Sequence, residues 1–199
     1  MADKENGIKV ILLGESSVGK TSLINISTGG KFRSAESSTF NANYRHRKTQ
    51  YKGKNYVFNL WDTIGQEKYR SLTKMFFNDS QIVILVYDIT VKSTFEQLNF
   101  WYSQIVEKLG KNNFMLAIVG NKKDLFTKEK VKEEEGIKFA KERNAKFILS
   151  SAKEDPLSFN KFLDSLFGEF IENNKNLLNK PKGSELNGVG KAKKQKCCK

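Results

Sequence analysis

Eight residues, Gly14-Glu15-Ser16-Ser17-Val18-Gly19-Lys20-Thr21, have the types and spacing of a phosphate cradle, G-x-x-x-x-G-K-[ST]. Successive backbone N–H groups in such a loop point inward at a polyphosphate, and the helix that follows adds the partial positive charge of its N-terminus. Glycine permits the close approach. Lys20 is placed to reach the β and γ phosphates, and the Thr21 hydroxyl to ligate Mg²⁺. A Gly/Ser turn with an incidental lysine would share these letters, so the flanks and the remaining motifs decide.

Three more polar motifs each follow a strand-like run. Trp61-Asp62-Thr63-Ile64-Gly65-Gln66-Glu67 offers Asp62 as a carboxylate for the Mg²⁺ shell, the Gly65 N–H for a γ-phosphate, and Gln66 to orient an attacking water. Asn121-Lys122-Lys123-Asp124 discriminates between bases: a carboxylate accepting two hydrogen bonds matches N1–H and N2–H₂ of guanine, and adenine has no such donor pair. Ser151-Ala152-Lys153 can present a backbone N–H to the guanine O6.

These loops need a scaffold, and the rest of the chain supplies one. Ile8–Leu13 reads as a buried strand, followed by the cradle and a helix from Thr21 to about Thr28. A polar loop at 29–38 leads to strands Tyr44–Tyr51 and Tyr56–Trp61, joined by Lys52-Gly53-Lys54-Asn55 in a hairpin. The stretch 62–77 reads as a loop running into a short helix. Ile82–Tyr87 and Phe114–Val119 are continuous apolar runs, the mark of strands buried on both faces, and Lys146–Leu149 is a last strand. Helices are expected at 93–108, stopped by Gly110, and at 131–143, where Glu133-Glu134-Glu135 reads as a solvated face. A final helix is capped by Asp155, starts at Pro156 and ends near Asn173, with Leu157, Phe162, Leu163, Leu166, Phe167, Phe170 and Ile171 on its apolar face. Alternating strands and helices with a single hairpin predict a three-layer α/β fold whose six-stranded sheet is mostly parallel, with one antiparallel edge strand. Ligands of such sheets bind at the carboxyl ends of the strands, where all four motifs lie.

Length allows one domain and a tail: a short polar extension over 1–7, the folded body over 8–174, and a flexible basic segment over 175–199. The tail holds eight lysines against one glutamate, seven of the thirteen excess positive charges, so the basicity belongs mainly to it. The only cysteines, Cys197 and Cys198, are adjacent, which excludes a disulfide framework and suits a reducing cytosol. No apolar run approaches a spanning helix, so contact with a membrane is expected at its surface, through the tail. The lone His46 sits in an alternating polar strand and is expected to face solvent.

In order and spacing the four motifs resemble those of the Ras-superfamily small GTPases over roughly residues 8–174. The resemblance implies GTP and GDP as ligands with Mg²⁺ held by Thr21, Thr39 and Asp62. It implies Lys20 and Gln66 as catalytic residues, Thr39 as the threonine of switch I, and Phe32 as the aromatic on the guanine edge. Ser22, the rest of the cradle, Asn121, Lys122, Asp124 and the Ser151–Lys153 loop complete the implied nucleotide site.

The chain is most similar to the Rab proteins, through Val57-Phe58-Asn59-Leu60-Trp61, Lys68-Tyr69-Arg70-Ser71-Leu72, Leu85-Val86-Tyr87-Asp88-Ile89-Thr90 and the cysteine pair, with a lean toward their early-endosomal branch. That implies effectors recruited through Tyr44, Trp61 and Phe76, an exchange factor, a GTPase-activating protein and escort or GDI proteins. It also implies prenylation of Cys197 and Cys198, a location on the cytosolic face of vesicle or endosomal membranes cycling with cytosol, a monomeric state, and no nucleic acid as partner. Two lipids, or one with the cluster Lys191, Lys193, Lys194 and Lys196, hold stably where one lipid is marginal.

Two departures stand out. Ile64 replaces a small alanine beside Gly65, which either slows hydrolysis or fills an accommodating pocket; the first would make the chain a GTP-binding interaction module. Switch I, Thr39-Phe40-Asn41-Ala42-Asn43-Tyr44, lacks the glycine usual two positions after the threonine. A nucleotide kinase would share the cradle but not the Asn121/Asp124 pair, and Ran-like shuttling sits badly with a lipidatable tail.

Overall fold

The computed structural model describes residues 7–34, 39, 43–63 and 74–178. The strands are β1 (Ile8–Leu13), β2 (Asn43–Tyr51), β3 (Lys54–Asp62), β4 (Ile82–Asp88), β5 (Met115–Asn121) and β6 (Lys146–Leu149). They form one sheet in the order β2-β3-β1-β4-β5-β6, with β2–β3 antiparallel and every other pair parallel. The helices are α1 (Lys20–Ser27), α2 (Lys92–Glu96), α3 (Leu98–Leu109), α4 (Glu133–Lys141), α5 (Pro156–Asn173) and α6 (Lys175–Leu178).

The continuous apolar strands are explained by helices on both faces. In β1, Val10 and Leu12 face one core with α1 and α5, while Ile11 and Leu13 face the other with α3 and α4; β4 alternates in the same way. On the first face the rings of Phe58 and Phe167 stack with centroids 3.7 Å apart and both are fully buried. Phe167→Ala is therefore expected to cost about 3–5 kcal/mol of stability, the cost of an unfilled aromatic cavity, read from the denaturant midpoint. The edge strand β2 exposes Arg45, His46 and Lys48, which blunt pairing with other chains. His46 faces solvent as expected, its Nδ1 2.8 Å from Asn59 Oδ1.

Several expectations are corrected. The hairpin turn is only Lys52-Gly53, with φ of 49° and 76°, the left-handed pair that matches the twist of its strands, so Lys54 and Asn55 join β3. The predicted helix over 93–108 is two, interrupted at Gln97; the apolar spacing runs through the break, so periodicity does not reveal it. Asn121 is the last residue of β5 rather than part of the loop beyond it. Glu133 and Glu134 are solvated, but Glu135 is half-buried: it pairs with Lys92 and accepts the Lys132 N–H at 3.0 Å, capping α4, and these contacts hold its carboxyl below the usual range. Leu157 is exposed, and Phe159, one turn into α5, fills the core instead. Beyond Asn173 the chain makes one more helical turn, α6, whose Leu178 packs against the core. Ile64, Gly65 and Gln66, the Lys68–Leu72 motif, Phe40 to Ala42 of switch I and the cysteine pair lie outside the described residues.

Candidate functional site

The cradle is a left-handed backbone path. Ser17 has φ 63° and Gly19 φ 97°; Gly19 also ends the loop as the N-cap of α1, so Lys20 and Thr21 open that helix. A side chain at Gly19 would place Cβ 2.2 Å from Asn121 Nδ2, and one at Gly14 would meet the Val86 carbonyl oxygen at 2.2 Å. Both glycines are fixed by close approach to neighbouring strands.

Lys20 is buried, and its Nζ donates to the carbonyls of Gly14 and Glu15, each at 2.9 Å, folding the side chain back over the loop. Burial pushes its pKa down to about 8 against the opposing pull of Asp62 and Glu15. Glu15 in turn accepts from the indole Nε1 of buried Trp101 at 3.0 Å, tying the cradle to α3.

Beside Lys20 three oxygens converge from three segments. Thr21 Oγ1 donates to Asp62 Oδ2 at 2.7 Å; Thr39 Oγ1 lies 3.1 Å from Thr21 Oγ1 and 3.4 Å from the same carboxylate oxygen. Two hydroxyls and a carboxylate are hard donors suited to Mg²⁺, which takes few protein ligands and completes its octahedron with waters and phosphate oxygens. The convergence of these three oxygens beside a buried lysine fits that ion.

The base end is held by Asn121. Its Nδ2 donates to the Val18 carbonyl at 2.9 Å, and its Oδ1 accepts from the Ala152 N–H at 3.2 Å. One buried carboxamide thus braces the cradle, β5 and the Ser151–Lys153 loop. Ser151 Oγ donates to Asp124 Oδ1 at 2.6 Å while accepting from the Glu154 N–H at 2.9 Å, which orients that carboxylate. Lys122, at φ 67°, forms an ion pair with the buried Asp88 at 2.6 Å.

Together these elements enclose a cavity of about 520 Å³. Of the residues predicted from sequence, Ser16, Ser17, Gly19, Lys20, Thr21, Ser22, Phe32, Thr39, Asn121, Lys122, Asp124, Ala152 and Lys153 line it. Gly14, Val18, Ser151 and Asp62 do not: Val18 is buried beneath the loop, and Ser151 and Asp62 act on Asp124 and the threonine hydroxyls. Arg33, Ser34, Thr63 and Leu125 line the cavity without having been foreseen. Thr63 was legible only as a neighbour of Asp62; its buried hydroxyl donates to the Leu12 carbonyl at 2.5 Å and fastens β3 to β1. Tyr44, Trp61 and Phe76 form a contiguous row, with ring centroids 4.8 Å and 5.8 Å apart and Tyr44 exposed.

The Ras family model matches residues 9–171. Rab-21 of Geodia cydonium is 37% identical over 156 residues, 78% of this chain and 68% of that protein. Human Rab-30 is 31% identical over 192 residues, 96% of this chain and 94% of that protein. Rab-21 of Bos taurus is 37% identical over 166 residues, covering 83% and 72%.

Proposed function

Because the chain belongs to the Ras family of small GTPases, and within it to the Rab proteins, we propose that its cavity exchanges GDP for GTP and hydrolyses GTP as a membrane-recruited switch in vesicular trafficking. The observation that carries this reading is the convergence of Thr21, Thr39 and Asp62 beside Lys20. Thr39 comes from the segment between α1 and β2, so a triphosphate that engages it also fixes that segment, and its loss on hydrolysis releases it.

In this mechanism water attacks the γ phosphorus in line, the bond to the β–γ bridging oxygen breaks, and GDP and phosphate leave. Lys20 turns its ammonium from the Gly14 and Glu15 carbonyls to the β and γ phosphates. Thr21 and Thr39 present hydroxyl oxygens and Asp62 its carboxylate to Mg²⁺, which neutralises charge on the phosphates when bound. Gln66 orients the water. Asp124 reads the guanine N1–H and N2–H₂, the Ala152 N–H faces O6, and Phe32 covers the base edge. Intrinsic turnover is slow in this reading, and an activating protein accelerates it by up to about five orders of magnitude.

The Tyr44–Trp61–Phe76 row is the effector surface in this account, supported by the exposure of Tyr44 on β2, the strand that follows the switch threonine in the chain. Exchange factor, activating protein and escort or GDI proteins complete the cycle. Prenyl groups on Cys197 and Cys198 hold the GTP form on vesicle or endosomal membranes, with the early-endosomal branch the favoured address; no helix among the described residues is long and apolar enough to cross a membrane.

Thr39→Ala tests the switch geometry. Its triphosphate complex is expected to lose Mg²⁺ affinity about tenfold or more, read from nucleotide release against free Mg²⁺, while the GDP complex changes by less than about twofold. Equal losses in both complexes would remove Thr39 from the switch.

A further inference from the structure

The nucleotide site is not the only sizeable cavity among the described residues. A cavity of about 890 Å³ opens at the amino-terminal ends of β4, β5 and β6, the opposite end of the sheet from the cradle. From it we infer a receptor pocket for a polyphosphorylated inositol headgroup of the membrane to which the tail is anchored. The choice of membrane as source rests on the anchored-tail reading above; the pocket's chemistry does not.

The charge balance points to an anion. Lys111, Lys141, Arg143 and Lys146 line the pocket with only two carboxylates, Glu142 and Glu169. Those carboxylates are already met, Glu169 by Lys146 at 2.8 Å and Glu142 by Arg143 at 3.3 Å. Lys111 and Lys141 have no ion pair among the described residues, so the pocket carries two uncompensated ammonium groups. The Arg143 guanidinium is held in place: it donates to the Phe139 carbonyl at 3.0 Å and to Asn99 Oδ1 at 2.8 Å, and it lies 3.6 Å from the centre of the Phe139 ring.

Neutral polar groups complete the lining. Asn112, Asn113 and Asn144 bring carboxamides, donors and acceptors at once, among the cations. Cations mixed with carboxamides suit a polyol bearing phosphates, which needs hydroxyl partners as well as charge, better than an apolar ligand.

Chain geometry favours a lipid over a free headgroup. The end of α5 and its C-cap form one wall of the pocket through Glu169, Phe170, Asn173 and Asn174, and only the short α6, ending at Leu178, separates that wall from the start of the tail. Residues 179–199 follow, a length of chain whose full extension would be about 70 Å. A membrane holding Cys197 and Cys198 therefore lies within reach of the pocket, and a weak headgroup contact gains from the effective concentration the tether imposes. The two attachments together turn the nucleotide end of the sheet away from the bilayer.

The test uses the full chain, GDP-loaded and without lipid. Soluble inositol trisphosphate is titrated in at physiological salt, and binding to vesicles carrying phosphatidylinositol bisphosphate is compared with phosphatidylserine vesicles of equal charge. Wild type is expected to bind the soluble headgroup at one site and to prefer the bisphosphate vesicles. Lys111→Gln/Lys141→Gln is expected to weaken the soluble headgroup by about tenfold or more and to abolish the vesicle preference, with GDP release unchanged. Glutamine at Lys191, Lys193, Lys194 and Lys196 is expected to reduce vesicle binding while leaving the headgroup titration intact. The inference is overturned if wild type shows no saturable headgroup binding, if sulfate at matched ionic strength displaces it equally well, or if Lys111→Gln/Lys141→Gln binds like wild type. Vesicle binding lost in the tail variant alone would leave the anchored tail standing and remove the pocket. Headgroup binding without any vesicle preference would overturn the membrane as its source.

Discussion

Asp124→Asn is expected to lower GTP affinity at least about hundredfold and to raise affinity for xanthosine triphosphate. The direction follows from donors and acceptors. Guanine presents N1–H and N2–H₂ side by side, and only a group accepting twice satisfies both. In the native site the Ser151 hydroxyl donates to Asp124 Oδ1 at 2.6 Å, held there by the Glu154 N–H. In the variant that hydroxyl hydrogen still needs an acceptor, so the amide oxygen stays on its side and Nδ2 turns to the base. There it opposes the guanine amino group but matches the C2 carbonyl of xanthine. Competition against a fluorescent guanine nucleotide measures both affinities; GTP affinity within about threefold of wild type would remove Asp124 from base recognition.

Lys20→Ala is expected to cost triphosphate affinity by about a hundredfold to a thousandfold, since it removes the buried cation that the cradle holds for the phosphates. The nucleotide-free variant should nevertheless melt no lower than wild type, because the wild-type fold bears the desolvation of that ammonium without a phosphate to compensate it. A pH series separates these effects. The Lys20 pKa is about 8 in the fold against 10.5 ordinarily, so between those values the unfolded chain holds a proton that the folded chain has shed. Stability of the nucleotide-free protein then rises with pH across that window. Triphosphate affinity runs the other way: it is full below pH of about 8 and falls by up to about tenfold per unit above it, as the neutral amine must recapture a proton to meet the phosphates. Lys20→Ala should abolish both slopes. An unchanged affinity, or slopes that persist in the variant, would place the titrating group elsewhere.

What could be read from the sequence follows from how local each requirement is. The cradle needs Gly14, Gly19, Lys20 and Thr21 within eight residues, and Asp124 needs only its place after a strand, so both are visible as strings. The layers are equally visible, because β1, β4 and β5 must be apolar on both faces. The brace made by Asn121 was not visible: its partners Val18 and Ala152 lie 103 and 31 residues away, and nothing in the string marks a carboxamide at the end of a strand that joins two loops to it. The Trp101–Glu15 contact spans 86 residues for the same reason, and an amphipathic helix gives Trp101 the same spacing whether or not its N–H finds a partner. Arg33 and Ser34 reach the cavity through the path of an irregular segment, which has no periodicity to read. Leu157 is apolar and was grouped with the apolar face of α5, but in the first turn it is exposed and Phe159 takes the buried position.

Hydrolysis by this cavity, with Gln66 proposed to direct the water, is measured most directly by single-turnover decay of bound [γ-³²P]GTP with Mg²⁺. Wild type is predicted to release phosphate slowly, Gln66→Leu to lose about two or more orders of magnitude in that rate, and Ile64→Ala to follow wild type. Absence of decay in wild type, restored by Ile64→Ala, would contradict it and make the chain a GTP-holding interaction module locked by one side chain.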